Sequence, residues 1–81
     1  MNNIIAEQLV RATLARFDAR RQEALAVIEL YLNHPAGVGD HPNIVDEVAK
    51  ATVQLAEAED AIDALRRNFL ASETARDDNE E

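Results

Sequence analysis

The run Asn33-His34-Pro35-Ala36-Gly37-Val38-Gly39-Asp40-His41-Pro42 decides the fold, because it holds both prolines and both glycines of the 81-residue chain. Proline removes the N–H that a helix needs, and glycine carries the largest backbone entropy into one. The segment is therefore a break, and the composition supplies no second one. On its amino side an unbroken stretch runs from about Ile4 to Asn33, and on its carboxyl side another runs from Ile44 to about Ala71. Both are rich in Ala, Leu, Glu, Arg and Gln, which lose little side-chain freedom in a helix. Two helices of nearly equal length follow, each roughly 40 to 45 Å long at 1.5 Å per residue.

The second stretch has the cleaner pattern. Ile44, Val48, Ala51, Leu55, Ala58, Ile62, Leu65 and Phe69 alternate in steps of four and three, the seam of a left-handed coiled coil. Its start is marked by Pro42, by Asn43 as an N-cap, and by Asp46 and Glu47 placing negative charge in the first turn. The first stretch repeats the alternation with Val10, Leu14, Phe17, Arg21, Ala24, Ile28 and Tyr31, and Leu25 and Leu32 widen the stripe near its end. A second apolar strip of Ile5, Leu9 and Ala12 lies partly around the helix from that seam. Folding the chain back at about Val38 sets Ile28 near Val48, Ala24 near Ala51 and Thr52, Phe17 near Ala58, and Leu14 near Ile62. Large side chains facing small ones let the axes approach closely.

The expected organisation is one all-α domain, an antiparallel two-helix coiled-coil hairpin over residues 1–72, with helices at about 4–33 and 43–71 and the turn at 34–42. Residues 73–81 read as an acidic disordered tail, with no apolar residue larger than Ala75. Two helices touching along one stripe bury little apolar area against the entropy of ordering them. Self-association offsets that deficit, so the hairpin is expected to form a homodimer or higher homo-oligomer. The expected dimer is an antiparallel four-helix bundle that uses Ile5, Leu9, Val45, Leu70 and the flanks of both seams.

Charge and composition exclude several function classes. Eight Lys and Arg against 16 Asp and Glu give a formal charge of −8, which argues against binding the nucleic-acid backbone or an anionic membrane directly. The absence of Cys removes disulfides, thiolate nucleophiles and zinc ribbons. No hydrophobic run is long enough to cross a bilayer and no secretion signal is visible, so the expected location is cytoplasmic. The Arg-containing, acid-poor start from Met1 to Arg21 shares some character with organelle transit peptides, but it runs unbroken into the seam and reads as part of the fold.

Three constellations invite chemistry. His34 and His41 flank the turn with Asp40 between them, a weak candidate set for zinc or nickel. The spacing across two glycines matches no fixed ligand geometry, and the plainer reading puts His34 at a helix end and His41 in the turn. Glu57, Glu59, Asp60 and Asp63 make the densest acidic patch, which in other bundles binds magnesium or iron. No Glu-x-x-His and no matching Glu-x-x-Glu on the first helix complete such a site, so the patch reads as a solvated face aided by an Asp63 to Arg67 pair. Arg21 occupies a seam position between Phe17 and Ile28, where it is expected to reach Glu59 or Glu57 of the facing helix as a register-setting ion pair. The alternative is an anion contact made with Arg16 and Arg20. No nucleophile with a base and orienting partner is visible, and Phe17, Tyr31 and Phe69 all sit on the seams as core. Neither a catalytic residue nor a cofactor is expected.

The stretch Ala19-Arg20-Arg21-Gln22-Glu23-Ala24-Leu25, then Tyr31-Leu32-Asn33, then Val38-Gly39-Asp40-His41-Pro42-Asn43-Ile44-Val45 resembles short uncharacterised helical-hairpin proteins of tailed phages of marine bacteria. In those proteins a similar helix, a Gly-Val-Gly or Gly-Ile-Gly turn and a His-Pro-Asp-like cap recur. The resemblance covers about Phe17 to Leu65. It implies a viral setting, in the host cytoplasm or the virion, and a small interaction or accessory role, and it transfers no catalytic residue. The expected function is that of a non-enzymatic, self-associating interaction or structural module that contacts another protein. The alternative is an acidic regulator that binds a host or cellular enzyme, occupying a basic nucleic-acid-binding surface with its acidic face and tail. A metal-dependent hydrolase is the third reading, and it lacks partner motifs.

Overall fold

The computed structural model describes residues 4–33 and 43–70. Among them the chain forms two helices, α1 (Ile4–Asn33) and α2 (Ile44–Phe69), packed against each other, with no strand. The expected turn at 34–42, the end of the second helix at Ala71 and the acidic tail at 73–81 lie outside the described residues.

The start of α2 is fixed by its cap. Asn43 holds a non-helical backbone, its side-chain oxygen accepts from the Asp46 N–H at 3.0 Å, and its carbonyl accepts from Glu47 N–H at 3.3 Å. Those bonds satisfy donors that no preceding turn can reach, with Asp46 and Glu47 adding negative charge at the positive end of the helix dipole. At the other end Arg66 and Arg67 complement the dipole, and Leu70 N–H donates to the Arg66 carbonyl at 2.9 Å.

The helices run antiparallel. Phe17 and Ala58 line one groove between them, Leu14 and Ile62 line another, and Glu47 lies close enough to Tyr31 to perturb it. This register brings Ala24 level with Ala51. The buried residues are Ala24, Tyr31, Ala51 and Ala58, all on the four-three alternation. Three of them are alanines, so the helices meet backbone to backbone with little side-chain bulk between them. The other seam positions, from Val10 to Ile28 and from Ile44 to Leu65, are half-buried.

Phe69 departs from the expected core, being 64% exposed. The register sets it opposite the first turns of α1, where the alternation continues at Glu7 rather than at an apolar residue. Glu7 is itself held by Arg11 at 3.3 Å, so among the described residues the seam of α1 sets a charged side chain, not an apolar one, opposite the ring at the end of α2. Leu32, expected to widen the stripe of α1, is also exposed. Neither helix is long and apolar enough among the described residues to cross a membrane.

Candidate functional site

Two long helices in contact leave a groove along each side of the seam, and the sequence decides what lines each one. On one face Phe17, Arg20, Glu23 and Val27 of α1 meet Gln54, Glu57 and Ala58 of α2 around a groove of about 400 Å³. The Arg20 guanidinium lies over the Phe17 ring, 5.1 Å from its centroid, so the aromatic floor is half-covered by a cation. Residues spaced by four and seven share a helix face. Leu9 and Arg16 therefore continue the Arg20 and Val27 row of α1, and Ala61, Ala64 and Asn68 continue the Glu57 row of α2.

The opposite face differs in chemistry. Asp18 and Arg21 meet Glu59, Ile62, Asp63 and Arg66 around a groove of about 270 Å³, and an adjoining groove takes in Arg11, Leu14 and Ala15. Acids and arginines alternate here, and the exposed Arg67 pairs with Asp63 along α2.

Arg21 does not reach across the interface. Its Nε and Nη2 both donate to Asp18 Oδ1, at 3.2 and 3.1 Å, three residues back on its own helix. The expected pair with Glu59 or Glu57 is therefore corrected. A partner one turn away on the same rigid helix requires fewer torsions to be fixed than one across the groove, and Asp18 stands on the open side of the seam. Glu59 lines the same groove as Arg21 without pairing with it. Arg20 lines the other face, so the arginines of α1 do not gather into one anion-contacting cluster.

The acidic patch divides in the same way. Glu57 lines the first groove, while Glu59 and Asp63 line the second. Among the described residues no three acidic or histidine side chains come together as metal ligands do. His34, Asp40 and His41 lie outside the described residues.

The four residues expected to build a dimer face fall on two faces. Ile5 stands one turn before Leu9, on the first groove's side. Leu70 follows Asp63 by seven residues and Arg66 by four, and Val45 precedes Glu59 by two sevens, which puts both on the second groove's side. Ile5, Leu9 and Val45 are exposed and Leu70 is half-buried. Tyr31, missed as anything but core, has a phenol raised above its ordinary value of 10.0, first by burial and then by the neighbouring Glu47 carboxylate. Its seam position could have suggested the burial, and the antiparallel register the carboxylate.

No family model, curated protein or solved structure matches the chain. Among the described residues no charged or polar side chain is fully buried, and no buried side-chain nitrogen or oxygen lacks a partner.

Proposed function

We propose that this protein is a non-enzymatic helical hairpin that works by protein contact, associating with a second copy of itself into a four-helix bundle and serving as a structural or accessory module. One observation carries the reading. Among the described residues, packing two helices buries only Ala24, Tyr31, Ala51 and Ala58, and leaves Ile5 71% and Leu9 62% exposed on the face that also holds the open aromatic groove. Covering such a face is the ordinary way a thin helical core gains apolar area.

The acidic-regulator reading has less support, since Glu59 and Asp63 share their groove with Arg21 and Arg66 and so present a mixed rather than an acidic surface. The resemblance to phage hairpins accords with a small module in the host cytoplasm or the virion.

Sedimentation velocity across the micromolar range tests the reading. A concentration-dependent dimer is expected, with helicity that rises as the dimer forms. A well-folded monomer throughout the range would overturn it.

A further inference from the structure

The geometry points to one arrangement of the pair: the second copy seats on the Phe17, Arg20 and Glu57 face with the two-fold axis parallel to the helices, so that each α1 covers the partner's α2. The inference rests on the self-association reading above and adds to it the face, the axis and the charge pairs.

The face is chosen by its chemistry. Leu9 and Ala12 of α1 and Ala61 and Ala64 of α2 occupy the open-end half of the first groove's side, and the alanines let a helix from outside approach closely. The second groove is instead lined by Asp18, Arg21, Glu59, Asp63 and Arg66, whose hydration a docking partner would have to strip.

Two symmetric dockings can cover the first face, and charge distinguishes them. With the axis parallel to the helices, residues of α1 meet residues of the partner's α2 at the same height. The register that sets Phe17 beside Ala58 then places Arg20 level with the partner's Leu55, two residues' rise from the partner's Glu57, and Glu23 within one turn of the partner's Lys50. Leu9 and Ala12 come to lie over the partner's Ala64. Each contact occurs twice, and both of these charged pairs are of opposite sign, with Lys50 also 3.8 Å from Glu47 of its own helix. With the axis perpendicular to the helices, α1 crosses the partner's α1 and α2 the partner's α2. Full overlap then sets Arg20 against the partner's Arg20 and Glu57 against the partner's Glu57, like charges at the centre of the interface. Both dockings bury the same apolar residues, so the charges decide.

The two arrangements differ in where the chain's turn ends go. In the proposed one, both copies of Asn33 sit at the same end of the bundle, on diagonal helices, roughly 15 to 25 Å apart once label arms are included. In the other they stand at opposite ends, about 40 Å apart at 1.5 Å per residue. The chain has no cysteine, so Asn33→Cys in the full-length protein, spin-labelled on its exposed helix end, gives a single intermolecular distance by double electron–electron resonance. The short distance supports the arrangement. A dimer with the long distance overturns it while leaving self-association standing, and a labelled protein with no intermolecular coupling at dimer-forming concentrations overturns both. Arg20→Glu, which replaces each opposite-sign pair with two carboxylates, is expected to weaken the dimer on the order of tenfold or more. Mixing it with Glu57→Arg should restore association in trans, and an Arg20→Glu dimer as tight as the parent would sink the proposal.

Discussion

Replacing Ala51 by leucine tests the feature on which the fold depends, the close approach of two helices through alanine. Ala51 is 3% exposed and level with Ala24, itself 2% exposed, so a leucine there must place three further carbons where backbone already meets backbone. Overpacking of this kind costs about 1 to 3 kcal/mol. Helix propensity does not obscure the reading, since leucine trails alanine by only a few tenths of a kcal/mol. For a domain of this size the loss corresponds to a fall in Tm of roughly 5 to 20 °C. Thermal and urea unfolding followed by far-UV circular dichroism, at one fixed protein concentration, measure it. Ala56→Leu, on the exposed side of the same helix, serves as the control and should leave Tm within a degree or two of the parent. If Ala51→Leu were as stable as the parent while the control was unchanged, the helices would not meet through their alanines and the register drawn from them would be wrong.

Two further expectations follow from single side chains. Arg21→Leu should raise Tm by several degrees without changing oligomer size: the pair it breaks with Asp18 is solvent-exposed and contributes about 0 to 1 kcal/mol, while a half-buried leucine between Phe17 and Ile28 adds about 1 kcal/mol of apolar burial; a fall in Tm would show that Arg21 does more than pair locally. For Tyr31 the folded chain holds the phenolic proton more tightly than the unfolded chain does, so its contribution is complete below pH 10 and is lost as the pH rises through the raised folded value. Tyr31→Phe has no phenol to ionise, and its Tm should fall less steeply than the parent's in alkaline solution; parallel curves would show that the burial and Glu47 do not act on this group.

The helices and their register were legible because they rest on patterns that few other folds can produce. A four-three alternation over twenty-six residues of α2 has no strand counterpart, and a single Pro/Gly segment leaves one place for the chain to reverse. Asn43 followed by Asp46 specifies a cap through bonds within four residues, and local bonds of that kind survive any tertiary arrangement. What was not legible depended on which of several nearby partners a side chain takes. Arg21 has carboxylates within reach on both helices, and periodicity ranks none of them; the shorter, stiffer connection to Asp18 prevails. Phe69 continues the seam of α2 faultlessly, but its burial depends on what α1 presents at the same height, which is Glu7. A stripe read on one helix says nothing of where the other helix's stripe ends.

The same distinction bears on the two faces that flank the seam. A seam of alanines brings two axes close together but removes little apolar surface from water, so stability and recognition come to depend on the flanks. On the flank of Arg11, Asp18, Arg21 and Asp63, three of the charges are answered within single helices, by Glu7, Asp18 and Arg67, while Glu59 and Arg66 line the groove beside them. On the other flank Arg20 rests on the Phe17 ring, with Glu23 and Glu57 lining the groove beside it. A cation held on an aromatic surface keeps its orientation without a committed carboxylate, and a second hairpin in the proposed orientation supplies that carboxylate at the height where it is needed. In the proposed pair the apolar residues would drive association, and the placement of Arg20 and Glu57 would favour one orientation of it over the other.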